Sequence, residues 1–219
     1  MPNWTYNRMS MSKKTFAEFK EKYIDDNGDF DFNKVLPMPE ELKDTIAGGI
    51  IEECIAYHLY NTMTRMRAED EIKRLALHLY VEKRSLLSTQ EVKDALLERI
   101  GNNPRMYATE FDNPSKESHT PEEIGKHYYD LYNKFGCCDW YQWANKYWGT
   151  KWNANDTKIN ENTKSVSSIT FDTAWCHPYG VYEQIARDNP NWSINVHASY
   201  EGGETPLRAK IKDGLFIEG

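Results

Sequence analysis

Apolar residues recur along this chain with two different periods, and the switch between them marks out three stretches. At the start, "WTYNRMSM" alternates imperfectly and predicts a strand. Lys13 to Ile24 follows with Phe16, Phe19 and Tyr23 at helical spacing. Beyond the turn "DDNGD", Phe30 and Phe32 in "FDFNKVL" lie on one face of an extended segment, which the prolines of "PMPEE" stop. Residues 1–37 therefore read as β-α-β.

From Glu40 to Trp148 the period is helical. No Gly or Pro falls between Gly49 and Gly101, and Ile51, Cys54, Ile55, Leu59, Ile72, Leu75 and Leu79 keep a one-sided apolar stripe. That run is too long for one average helix, so a break is expected near "RAEDE". Ser88 starts another helix through the capping box "STQE", with Glu91 at its third position and Leu87 and Val92 as a hydrophobic staple. "TPEE" repeats the device with Thr120, Pro121 and Glu123, and Gly136 ends that helix. "DWYQWANKYWG" is the last, capped by Asp139 and stopped by Gly149.

The final third returns to a period of two. Ile169, Phe171, Thr173 and Trp175 alternate with Ser168, Thr170, Asp172 and Ala174, and "WSINVHASY" alternates more cleanly still. "PYGVYEQIARDNP" between them supplies a short helix, giving a second β-α-β unit. Asp213 and Gly214 predict a C-terminal hairpin, and "NANDTKINENTKS" reads as a loop. The expected fold is α+β: a ferredoxin-like split βαβ sheet from 1–37 and 151–219, interrupted by a large all-helical insertion over 38–150 that includes the Trp-rich helix.

Composition narrows the function classes. At 219 residues with 39% hydrophobic content the chain can fill a core, and no apolar run reaches transmembrane length. The start lacks a secretory pattern, and four cysteines at irregular spacing form no disulfide framework, so a cytoplasmic protein with reduced thiols is expected. The net charge of −7 is concentrated in residues 38–150, which hold fourteen basic and nineteen acidic groups. No segment has the surplus of Lys and Arg that phosphate neutralisation needs, which counts against nucleic acid.

Several rare-residue signatures occur together. "MPNW" at the start, "DFNKVLPMPEEL", "WYQWANKYWGTKWNA" and "ITFDTAW" followed by a proline resemble, in order and spacing, the YubB-like phage and plasmid proteins. The resemblance spans most of the chain apart from about residues 50–120. It implies a ferredoxin-like domain, an origin in a phage or other mobile element within a bacterial host, and no assigned activity or catalytic residue.

Candidate chemistry is sparse. Five of the seven tryptophans lie between Trp140 and Trp175, and exposed Trp148, Trp152 and Trp175 could stack bases. Because few cations accompany them, the core is the preferred reading, with Trp4, Trp148, Trp152, Phe171 and Trp175 as its motif. Cys137 with Cys138, and Cys176 with His177, are adjacent, whereas zinc sites want repeated pairs two to four apart, so no metal and no cofactor are expected. No base lies at a telling spacing from Cys176, and Asp172 on a sheet face reads as an ion-pair partner before a general base. Glu69, Asp70 and Glu71 in "RAEDEIKR" are the binding candidates of the insertion, opposite Arg67, Lys73 and Arg74, and read first as a solvated helix face with i, i+4 pairs. The sequence thus points to a non-catalytic binding protein whose insertion contacts a host protein, with inhibition of a defence or regulatory protein as its role. The alternatives are RNA or single-stranded DNA bound on the sheet, and sequestration of a small nucleotide signal.

Overall fold

Residues 3–82, 84–102, 119–161 and 165–219 are described by the structure, a computed structural model. The chain is α+β and divides into two units, Met1–Pro39 with Tyr141–Gly219, and Glu40–Trp140.

The first unit is built on alternation. In β1 (Trp4–Ser12) the odd-numbered Thr5, Asn7, Met9 and Met11 are buried, while Tyr6, Arg8 and Ser12 are exposed. The strand leads straight into α1 (Lys13–Tyr23), because the Ser12 hydroxyl accepts from the Thr15 amide and caps the helix. The remaining strands are β2 (Asn155–Asn160), β3 (Val166–Ala174), β4 (Ile194–Tyr200), β5 (Leu207–Lys212) and β6 (Leu215–Glu218). They form one antiparallel sheet in the order β2-β3-β1-β4-β5-β6. Asp213 and Gly214, at φ 54° and 77°, turn β5 into β6.

One face of the sheet is buried. Phe16, Phe19 and Tyr23 of α1 are buried with Val181, Tyr182, Ile185 and Ala186 of Tyr179–Asp188, the helix joining β3 to β4. The Phe30 ring stands 5.2 Å from Phe19 and 5.1 Å from Phe171, so the aromatic rows interlock rather than stack face to face. Inside this layer the Tyr182 hydroxyl donates to Asn7 Oδ1 at 2.9 Å, and Asn7 Nδ2 donates to Thr173 Oγ1 at 2.9 Å, which satisfies a fully buried amide.

Two segments of this unit differ from the sequence reading. "FDFNKVL" is not a sheet strand: Phe30 makes a single bridge to Ile24, and Phe32–Val35 is a short helix, α2. Asp31 decides this, since its carboxylate accepts from the Asn33 amide as an N-cap and fixes helical backbone just where Phe32 and Val35 bury at i, i+3. Conversely, "NANDTKINENTKS" is not all loop, because β2 lies within it at the sheet edge. An edge strand has one neighbour to satisfy, so only Thr157 and Ile159 lean inward and the apolar signal is faint.

The Trp-rich helix, expected within the insertion, belongs from Tyr141 onward to the sheet unit. In this unit Trp148 is buried, its indole donating to the Leu36 carbonyl at 2.8 Å and its ring 5.7 Å from Phe32. The last turn, Ala144–Trp148, widens to i→i+5 bonding, and Gly149 at φ 83° closes it by donating to the Ala144 carbonyl.

The second unit is helical: α3 (Glu40–Lys43), α4 (Gly49–Thr62), α5 (Arg65–Arg74), α6 (Thr89–Gly101) and α7 (Pro121–Phe135), with α8 (Trp140–Trp143) beginning at its end. Between Ile50 and Tyr60 all of α4 but Glu52 and Tyr57 is buried, and α6 and α7 pack against it. Gly125 of α7 makes the closest approach: a Cβ there would sit 2.0 Å from the Cys54 carbonyl oxygen. Both capping boxes form, Ser88 with Glu91 and Thr120 with Glu123. The helix break falls at Met63 and Thr64, whose backbone is extended, and not at "RAEDE", which lies inside α5. Among the described residues no helix is long and apolar enough to cross a membrane.

Candidate functional site

Strand register sets the open face of the sheet. Because directly paired residues share a face, the partners of exposed Arg8 can be followed strand by strand. Lys158 pairs with Thr170, Thr170 with Arg8, Arg8 with His197, and His197 with Arg208. This row crosses five strands, about 19 Å at roughly 4.8 Å per strand. The next row runs Asn160, Ser168, Ser10, Asn195 and Lys210, and on the other side Asp172, Tyr6 and Ser199 sit together.

The face is polar and cationic. Among the described residues Arg8, Arg208 and Lys210 are in no ion pair, and all three are exposed. Lys158 bonds Asp156 at 2.5 Å, and that bond raises its pKa. Asp172 is an acidic group on this face, near Asp156, with no hydrogen bond among the described residues. Burial pushes its carboxyl above the usual carboxylate range, Asp156 pushes it the same way, and Lys158 opposes both.

Aromatic groups accompany the cations. Tyr6 is 46% exposed and in no ring pair among the described residues. At the same end of β1, the Trp4 ring lies 6.2 Å from Trp152, and Lys151 Nζ stands 4.5 Å over Trp152 and 5.6 Å over Tyr141.

The tryptophan motif therefore splits. Trp148 and Phe171 are core and Trp4 is half-buried, but Trp152 is 39% and Trp175 is 59% exposed, contrary to the expectation that both are buried. Trp175 follows the last paired residue of β3 with φ 75°, which ends the alternation one position early and turns the side chain away from the Phe171 side. Trp152 comes after the Gly149 stop, where Trp148, Phe32 and Phe171 already fill the core.

The insertion's candidates are not gathered into one site. Glu69 accepts from the Tyr60 hydroxyl at 2.6 Å and from Arg84 at 3.1 Å, while Glu71 pairs with Arg74 and accepts from Tyr129. These bonds occupy the two carboxylates internally, leaving Asp70 exposed beside them. The cysteines are free thiols: Cys54, Cys137 and Cys138 are buried, burial pushing Cys54 up to about 12, and Cys176 is exposed. Among the described residues no group of three or more His, Cys, Asp or Glu side chains could hold a metal ion.

Sequence reasoning passed over Tyr6, Arg8, Lys158, Arg208 and Lys210. The alternation of β1 carried the signal for the first two, since Tyr6 and Arg8 occupy the positions opposite Asn7 and Met9.

No family model matches the chain, and no curated protein matches it. A solved structure that it resembles is the crystal structure of a protein api92 from Yersinia pseudotuberculosis, of family model DUF1281. That likeness has 10% sequence identity and a TM-score of 0.43, and it covers 100% of this chain and 98% of that one.

Proposed function

We propose that this protein binds single-stranded nucleic acid on the open face of its sheet and carries out no chemistry on it. The observation that carries the reading is the row Lys158, Thr170, Arg8, His197, Arg208, which places three cations on an uncovered sheet face with Tyr6 beside it. Sheet-based single-strand binders combine cations that track phosphates with aromatic rings on which bases stack, each stack contributing roughly 1–3 kcal/mol. Exposed Trp152 under Lys151 extends that aromatic supply. The strand order β2-β3-β1-β4, with helices after β1 and β3, supports the ferredoxin-like split βαβ arrangement for this sheet, with β5 and β6 appended.

A second reading concerns the helical unit. Residues 40–140 hold thirteen basic and nineteen acidic groups, which favours a basic protein surface as partner. The origin in a mobile element, the cytoplasmic location and an inhibitory role rest on the resemblance and on composition.

The test is fluorescence anisotropy with labelled single-stranded RNA and DNA dodecamers, for the wild type and for Arg8→Glu with Arg208→Glu. Salt-sensitive binding that the double charge reversal weakens at least tenfold supports the proposal. Absence of binding at low salt, or binding indifferent to the reversal, overturns it and leaves the protein-partner reading.

A further inference from the structure

Asp172 is out of place on a face that attracts phosphates. It is half-buried, makes no hydrogen bond among the described residues, and carries its charge close to a second carboxylate, Asp156, as well as to Lys158. A carboxylate so placed repels the backbone of a polyanion, and what Lys158 returns to it does not offset its burial and the repulsion from Asp156, so its use lies in what else a nucleic acid offers.

Register supplies the answer. Asp172 is the direct partner of Tyr6 across the β1–β3 ladder, and directly opposed side chains have Cβ atoms about 4.5–5.5 Å apart. The Tyr6 ring is exposed and takes part in no ring pair among the described residues, so it can carry a stacked base. A base stacked there has its edge within reach of the Asp172 carboxylate.

We infer that Asp172 selects guanine at the position stacked on Tyr6, through the base's Watson–Crick edge. The inference rests on the single-strand reading above. In single strands that edge is free to be read. A carboxylate only accepts hydrogen bonds, and its two oxygens suit two parallel donors. Guanine presents two adjacent donors, N1–H and the N2 amino group. Adenine and cytosine each present one donor beside a ring acceptor, and uracil presents one donor between two carbonyls. Partial desolvation of Asp172 strengthens whichever donor it meets, because the unpaired carboxylate has already lost part of its water.

The experiment compares uridine dodecamers carrying guanine, adenine or cytosine at every third position with the all-uridine strand, for the wild type and Asp172→Asn. The wild type is expected to bind the guanine strand about tenfold or more tightly than the all-uridine strand, within the range of a good bidentate base contact. The amide of Asp172→Asn offers one acceptor and one donor, so the preference should fall to about twofold or less, while all-uridine binding holds or improves as a negative charge leaves. An unchanged melting temperature for the variant shows that the change is local. Equal binding of all four strands by the wild type, or a guanine preference that survives Asp172→Asn, overturns the inference and leaves the single-strand reading intact. Failure to bind any strand overturns both.

Discussion

The Cα of Gly180 lies against the carbonyl of Tyr147, so closely that a Cβ on residue 180 would stand 1.8 Å from that oxygen. Tyr147 is in the widened last turn of the Trp-rich helix, and Gly180 is in the first turn of Tyr179–Asp188. The obstacle is backbone and cannot rotate aside. Gly180→Ala must therefore separate the two helices, and overpacking of this kind costs about 1–3 kcal/mol or more. Chemical denaturation should show a loss of at least about 2 kcal/mol. A loss below about 0.5 kcal/mol would mean that the two helices do not meet at this point.

The tryptophans separate by role. Trp148 is 4% exposed with its indole nitrogen bonded, so Trp148→Ala removes packing and leaves the Leu36 carbonyl without its donor. Truncations of that kind cost roughly 3–5 kcal/mol. Trp175→Ala and Trp152→Ala remove exposed rings and should each cost under about 1 kcal/mol. Of these, Trp152→Ala is expected to weaken single-strand binding, because Trp152 carries Lys151 on its ring. Equal destabilisation by all three would contradict the separation.

What the sequence disclosed followed how local the cause was. Ser88 with Glu91 and Thr120 with Glu123 form their bonds within four residues of chain, so the pattern and the structure coincide. β3 and β4 have a strand on each side and a buried face, whereas β2 has one neighbour and a polar outer side, so its six residues look like a loop. Phe30 and Phe32 are two apart in the manner of a strand, but the Asp31 cap between them bends the chain into a helix. Trp175 extends the period of β3 by one residue on paper, and only its left-handed backbone reveals that the strand has ended. The cationic row was least legible. Arg8, Lys158 and Arg208 come from distant parts of the chain, and a net charge of −7 conceals them because composition carries no information about faces.

His177 sets a dependence on pH. Its Nδ1 lies 2.8 Å from the Tyr200 hydroxyl, its buried Nε2 has no hydrogen-bond partner, and Glu218 is 3.9 Å away. Burial lowers its pKa below the ordinary 6.5, with Glu218 opposing. A depressed histidine favours the neutral ring in the folded state, so its stabilisation is complete above 6.5 and is lost as pH falls through the lower folded value. The melting temperature should decline from pH 7 to pH 5, and His177→Gln should flatten that decline. If the variant and the wild type decline in parallel, the side chain is not the titrating group.

The salt dependence of binding tests the cationic row as a unit. Each phosphate neutralised on a single strand contributes about −0.7 to the slope of log affinity against log salt. Arg8, Arg208 and Lys210 are exposed and unpaired among the described residues, so no internal carboxylate competes with phosphate for them. Replacing all three by Ala should make the slope shallower by about 2, three contacts at that increment. Lys126 provides the control: it lies on α7 of the helical unit and is paired with Asp130 at 2.6 Å, so Lys126→Ala should leave the slope where it was. Lys158 should fall between these cases, since a bound phosphate must displace Asp156 from it before adding to the slope. A slope unmoved by the triple substitution would show that the strand binds elsewhere, even if its affinity were high. A slope that shifts equally with Lys126→Ala would show a general response to net charge instead of contacts on this face.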